Sequence, residues 1–337
     1  MASGSPARAA FAPDAVTYNA LRMRNILAIL LITISAGAQQ TPSPDCCPAQ
    51  PTAEKQNILW ENLRRTVEQE DRRLDGVLGV AVLDLTDGRT LLWHADDVFP
   101  QASSIKITVL AELYRQAQEG KLKLTDLYAV RKEDDVPDSA IFNGLTFGIT
   151  QVTLRDLATM MIAVSDNSAT NVLIDKVGME NVNAMLTAQG LKQTRLQRKM
   201  MDLNAARQGR ENISTPREMM TLLARIHQGK LLNPELTGAF FKMLATSKHS
   251  PIRSAVPDAV VSADKPGELE GVRADSGVVF AQNRPFVICV MTTYDRDEDA
   301  ANAAIGRIAA AAYSMFDRIG RASPVGRIIS PFNSSPR

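Results

Sequence analysis

The chain has 337 residues, 45% hydrophobic and 22% charged, an ordinary globular balance for one large or two smaller domains. Its 38 Lys and Arg against 37 Asp and Glu give no basis for a nucleic-acid partner or for an anionic membrane surface. Three cysteines without a C-x-x-C, and three isolated histidines (His94, His227, His249) read as structural or surface residues, argue against a zinc hydrolase.

Arg22 and Arg24 precede the apolar run Ile26 to Ile34, and Ala36-Gly37-Ala38 follows. Charged start, short apolar middle and A-x-A site make an export signal over residues 1–38, with Met23 the better start and cleavage after Ala38. The run is too short to span a bilayer comfortably, so the expectation is export to the periplasm or beyond, without a transmembrane anchor. Residues 39–53, rich in Pro, Gln, Thr and Ser and holding Cys46 and Cys47, read as a linker.

Ile58, Leu59, Leu63 and Val67 recur at helical spacing between Ala53 and about Leu74. Val77 to Leu85 and Arg89 to His94 flank Thr86-Asp87-Gly88 and predict a hairpin. The middle of the chain is patterned as helices, among them Thr153 to Val164, Ser168 to Val177 and Thr215 to His227. Strand patterns return at Ala259 to Lys265, Val272 to Ala281 and Pro285 to Thr293, and Asp299 to Ile319 reads as an Ala-rich amphipathic helix. Strands, helices, then strands predict an α/β (α+β) fold: one antiparallel sheet covered by the first and last helices, with an inserted helical domain. The predicted catalytic domain is 54–320, with sheet parts 54–100 and 246–320, a helical part 101–245, and a disordered tail at 321–337.

Three short motifs carry the chemistry. Ser103-Ser104-Ile105-Lys106 opens an apolar-periodic helix, where i and i+3 share a face, so the Ser103 hydroxyl and Lys106 amine can meet. A serine is a weak nucleophile until a base takes its proton, and a lysine serves when burial and nearby positive charge lower its pKa. Alone this match is a coincidence in most sequences. Ser262-x-x-Lys265 also fits, but in a strand pattern where i and i+3 face opposite ways. Ser165-Asp166-Asn167 follows the helix ending at Val164, where Ser can relay a proton and Asn can bind both a lysine and a substrate amide. An ordinary helix cap also explains it. Lys265-Pro266-Gly267 ends a strand, bringing positive charge and a glycine that admits close approach.

In this order, on a helix start, a helix end and a strand, the three motifs resemble the signature of class A β-lactamases and penicillin-binding proteins. The resemblance covers about 55–320 and includes Phe99-Pro100-Gln101-Ala102 before the nucleophile and Thr153 to Asn171 around the second motif. It implies a β-lactamase/transpeptidase-like fold and a serine hydrolase working through an acyl-enzyme. Ser103 would be acylated, Lys106 would activate it, and Ser165 would pass a proton to the lactam nitrogen. Asn167 would hold the acylamide, and the backbone N–H groups of Ser103 and Glu268 would form the oxyanion hole. Lys265 and Gly267 would shape the substrate site, with Arg273 a candidate carboxylate anchor. The resemblance implies a small-molecule β-lactam or peptidoglycan-like substrate and a monomer, and no cofactor or metal.

The sequence departs from the family at two places. Pro266 stands where the family usually has Thr or Ser, so one hydroxyl contact to the substrate carboxylate is missing. In the loop Arg198-Lys199-Met200-Met201-Asp202-Leu203-Asn204, Met200 stands where the family carries its deacylating glutamate. Asp202 is the nearest alternative base, and Glu211 lies later in the loop. Acylation with slow deacylation is therefore the leading expectation. A penicillin-binding D-alanyl-D-alanine peptidase-like enzyme and a non-turnover sensor remain as rivals.

Overall fold

The structure, a computed structural model, describes residues 52–328. The export signal and most of the expected linker lie outside the described residues, as does 329–337. Helix α1 already runs at Thr52–Arg73, so the linker reading is too long at its C-terminal end. Strands β1 (Val77–Asp84) and β2 (Thr90–Trp93) form the predicted hairpin. Short β3 (Phe99–Pro100) follows, then helix α2 (Lys106–Gln118), and the small strands β4 (Leu127–Ala129) and β5 (Gln151–Thr153). Helices α3 (Leu154–Ala163), α4 (Asn167–Val177), α5 (Met179–Ala188) and α6 (Leu203–Arg207) come next. Strand β6 (Ile213–Ser214) precedes α7 (Pro216–His227), α8 (Pro234–Leu244) and α9 (Pro251–Ser254). Strands β7 (Ser262–Leu269), β8 (Val272–Val279) and β9 (Phe286–Thr293) lead to α10 (Glu298–Arg321).

The five long strands make one antiparallel sheet in the order β2-β1-β9-β8-β7. Strand side chains alternate between faces, and both faces here are apolar. Leu78, Val80 and Val82 of β1, with Phe286, Ile288 and Val290 of β9, face α1 and α10. Ala81, Val287, Cys289 and Met291 face the helical side. Phe316 of α10 locks the first layer, stacked on Phe286 at 4.3 Å and edge-on to Trp60 at 5.6 Å. Helix α2 is buried continuously from Lys106 to Tyr114 and forms the axis of the helical region. Helix α7, which the sequence pattern groups with that region, packs instead on β1, β8 and β9.

Two local differences from the sequence reading affect the site. Strand β7 runs on through Lys265-Pro266-Gly267 to Leu269, so the third motif is mid-strand rather than at its end. Strand β7 is a sheet edge, the position where proline's missing N–H costs no ladder bond. At the C-terminus, residues 322–328 of the expected tail close a turn through an Ala322–Ile328 bridge.

Candidate active site

The nucleophile segment is pinned from several directions. Phe99 and Pro100 pair with Ser214 and Ile213, and Gln101 N–H donates to Asn212 O at 2.8 Å. A 3-10 turn over Ala102–Ile105 follows, and Ala102 takes φ 46°. Strand β7 lies directly against this turn. A Cβ on Gly267 would sit 2.4 Å from Gln101 O and 2.9 Å from Ser103 N, so only glycine fits there. That contact sets the backbone at 267–268 beside the Ser103 N–H. Ser103 is half-buried and opens into a cleft of about 360 Å³, while adjacent Ser104 is fully buried.

Ser103 and Lys106 do not form the hydrogen bond that helical spacing suggests. Lys106 Nζ crosses to the α3–α4 junction, donating to Ser165 O (2.5 Å), Ser165 Oγ (3.0 Å) and Asn167 Oδ1 (2.9 Å). Lys265 Nζ donates to the same Ser165 Oγ at 3.1 Å and to Pro266 O at 2.9 Å. A hydroxyl accepts two bonds and donates one. With both acceptor positions taken by lysines, the Ser165 proton is left to point elsewhere. The junction is built for this: Asp166 caps α4 through Ala169 N–H and takes the N–H groups of Ile141 and Phe142. Ser165 itself sits at φ 57°.

Burial sets the charges. Desolvation first, and then the nearby Lys265 ammonium, hold the Lys106 pKa well below the usual lysine range, against the pull of Asp166 and Asp138. Lys265 is lowered to about 8, again by desolvation first and then by Lys248. Lys248 is also lowered by desolvation, with Asp264 and Asp275 opposing.

Around these groups lie two connected spaces. The open cleft is lined by Ser103, Ser165, Lys248, His249 and Lys265 on one side of the reacting centre. A smaller pocket of about 120 Å³ lies beneath Ser103, walled by Met200, Met201, Leu203 and Arg198. Ser103, Asn167, Asp138 and Glu268 line both. Four of the seven described non-glycine residues with positive φ (Ala102, Asp138, Ser165, Met201) line these two spaces, a concentration of backbone strain typical of working sites. Among the described residues, no group of three His, Cys, Asp or Glu side chains is placed to hold a metal ion.

The loop below the pocket is closed by Arg198, whose guanidinium bonds Glu211 Oε2 at 2.9 and 3.1 Å. Asn171 clamps Met200 at both backbone groups: Met200 N–H donates to Asn171 Oδ1 (2.8 Å), and Asn171 Nδ2 donates to Met200 O (3.1 Å). The Met200 side chain is therefore fixed, buried, in the pocket wall.

A profile of the Beta-lactamase enzyme family matches residues 59–316. The chain belongs to that family. A β-lactamase of Streptomyces lavendulae is 32% identical over 250 residues, 71% of this chain and 80% of that protein. An imipenem-hydrolyzing β-lactamase of Enterobacter cloacae is 30% identical over 252 residues, covering 70% and 84%. Among solved structures, a β-lactamase from Sphaerobacter thermophilus is 30% identical with TM-score 0.69, covering 75% of this chain and 96% of that one. PBP-A, 24% identical with TM-score 0.69, covers 76% and 96% and shares the fold. The protein is thus a class A β-lactamase-family serine hydrolase, and among its described residues no helix is long and apolar enough to cross a membrane.

Within this β-lactamase-family site, Ser103, Lys106, Ser165, Asn167, Lys265, Gly267 and Glu268 converge as the motifs suggest. Two sequence-derived candidates do not. Arg273 lies on β8 opposite Glu268 and sends its guanidinium to Glu298 of α10 and to the carbonyls of Leu269 and Val272. It lines neither of the two spaces. Asp202 is exposed, caps α6 by accepting from Ala205 N–H at 2.9 Å, and also lines neither space. Glu211 is committed to Arg198. Sequence reasoning passed over Asp138 and Lys248, which sit in no motif, and His249, which it took as structural or surface.

Proposed function

We propose that the protein opens β-lactams by acylating Ser103 and releases the product slowly, because Met200 stands where a deacylating carboxylate would be needed. The observation that carries the acylation step is the shared Ser165 hydroxyl between Lys106 and Lys265. The substrate carboxylate sits at the Lys248–Lys265 end, taking over the role that Arg273 and a Thr or Ser at 266 do not fill. Ser103 Oγ attacks the lactam carbonyl while its proton passes to neutral Lys106. The backbone N–H groups of Ser103 and Glu268 receive the developing oxyanion. As the C–N bond breaks, Ser165 gives its proton to the nitrogen and is reprotonated by Lys106, which restores every group except the acylated serine. Water must then enter the lower pocket, where no free carboxylate on the 198–204 loop activates it. We also read residues 23–38 as an export signal, placing the enzyme in the periplasm or outside the cell.

Mixing with a chromogenic cephalosporin tests this reading. A burst equal to the enzyme concentration, followed by slow turnover, is expected, with penicillin mass mapped to Ser103 and not to Ser104. Ser103→Ala should abolish the burst. Label on another residue, or no burst, overturns the assignment. The Met200-lined pocket also favours a peptidase of the penicillin-binding kind. D-Alanine release from a D-alanyl-D-alanine peptide would support that second reading.

A further inference from the structure

One side of α8 is left uncovered by the rest of the protein. Pro234, Gly238, Phe241, Lys242 and Ala245 fall on a single stripe of the helix, and that stripe walls a cavity of about 1020 Å³. The facing wall is the C-terminal end of α7 at His227, together with Val261 and Phe280 at the ends of β7 and β8. The cavity shares no lining residue with the catalytic cleft. Three rings form its floor. His227, Phe241 and Phe280 touch pairwise, with centroids 5.7, 6.0 and 6.1 Å apart. Burial pulls the His227 pKa below its usual value, so that ring is neutral near pH 7.

The sequence keeps this space open against the preference of the helix. Gly238 lies inside α8, where glycine is less favourable than alanine. A Cβ built on it meets nothing within 4 Å, so neither close packing nor a turn calls for glycine there. Val261, on the other wall, stays 52% exposed. The lining holds no Asp or Glu, and Lys242 is its one residue charged at neutral pH, with no ion pair among the described residues.

We propose that this cavity is a second ligand site, for a small molecule with an aromatic body lying on the three rings and one anionic group at the Lys242 rim. A concave, ring-lined space of this volume suits a small molecule rather than the broad face that a stable protein interface needs. The rings supply most of the binding, through offset and edge contacts with an aromatic guest. The charges set the sign: a cationic guest would meet an ammonium group and no acid, whereas an anionic one gains a partner. The site stands apart from the acylation at Ser103.

The test uses two fluorescent probes that brighten in apolar surroundings: anilinonaphthalene sulfonate, which is anionic, and phenylnaphthylamine, which is not. Titration of the full chain with the sulfonate should give one saturable site, with a Kd on the order of 10⁻⁵ M for a guest of that size. Gly238→Phe puts a ring into the free space at the cavity wall and should weaken both probes about tenfold or more. Val261→Trp should do the same from the other wall, and circular dichroism confirms that each variant is folded. Lys242→Met should weaken the sulfonate by about two- to fivefold, the range of an exposed ion pair, and leave the amine unchanged. Added salt should act on the sulfonate in the same direction. The readout is fluorescence, so failure of the acyl-enzyme reading leaves this result untouched. No saturable binding, or binding that survives both cavity-filling variants, overturns the site. Sulfonate binding indifferent to Lys242→Met and to salt overturns the anionic class.

Discussion

Replacing Met200 by glutamate is the most direct test of why product release should be slow. Asn171 holds the residue 200 backbone through two hydrogen bonds, so the new side chain should leave the backbone in the same direction as the old one. Methionine and glutamate have similar length, which puts the carboxylate in the wall of the pocket beneath Ser103. That pocket measures about 120 Å³, whereas one water needs on the order of 10–15 Å³ of such space, so a nucleophilic water fits beside the carboxylate. A positioned general base accelerates a step by about 10²–10⁴-fold, roughly 3–5 kcal/mol of barrier. Burying the polar group in place of a packed thioether costs about 1–3 kcal/mol of fold stability, so a modest fall in Tm should accompany the gain. Stopped-flow acylation, followed by mass spectrometry of the adduct over time, separates the two steps. The expected result is an unchanged acylation rate and an adduct that decays at least a hundredfold faster than in the unmodified enzyme. If the unmodified adduct disappears as fast as it forms, another group already supplies the base, and the reasoning about Met200 is wrong.

Two further predictions concern the lysines. Lys248→Met should lower acylation efficiency toward penicillins by about tenfold or more, the worth of a charge-assisted contact of about 1.5–3 kcal/mol, whereas Arg273→Gln should change it little. A larger effect from Arg273→Gln would return the carboxylate to that residue. The pH profile follows from Lys265, whose pKa is lowered to about 8. It is charged below that value, so carboxylate binding should weaken as pH rises through about 8, and a Lys265→Arg variant should lose that limb. Thermal denaturation gives the opposite sign: the unfolded chain holds this proton up to the ordinary value of 10.5, so Lys265 adds stability as pH rises from about 8 toward 10.5.

The motifs were legible because each demands particular residue types at a spacing that one helix, one junction or one strand fixes. Ser165 and Asn167 could be placed beside Lys106 on that basis, and the sheet could be read from apolar runs and one hairpin turn. Arg273 failed for a reason that spacing cannot reach. Its usefulness depends on which face of β8 it occupies, and side chains change face at every residue. In the actual register it stands opposite Glu268, while Ser276 stands opposite Lys265, so Arg273 is turned toward α10. Asp202 failed because one carboxylate can serve as a base or as a helix cap, and the five-residue helix α6 that claims it was not visible as a periodic pattern. Lys248 was missed because nothing local marks it. The turn between α8 and α9 brings it into the cleft, where its Nζ donates to the carbonyls of Leu244 and Thr246.

The crowding of Lys106, Lys248 and Lys265 is tolerable only because the sheet supplies compensation from behind. Asp264 and Asp275 lie on the face of β7 and β8 opposite the Lys265 side chain. Asp264 packs over Gly277, where any Cβ would fall 2.5 Å from the Asp264 Cβ. Burial and the Asp264 charge push the Asp275 carboxyl well above its usual range. Their field still opposes the desolvation of Lys265 and Lys248. Lys106 draws on different acids, Asp166 and Asp138, and is lowered well below the usual range even so. The two lysines that share Ser165 are thereby separated in function. Lys265, lowered to about 8, stays protonated near neutral pH to attract a carboxylate, whereas burial weakens the hold of Lys106 on its proton. Removing Asp275 would act on the first and spare the second, lowering the alkaline limit of carboxylate binding without moving the acid limb of the acylation profile.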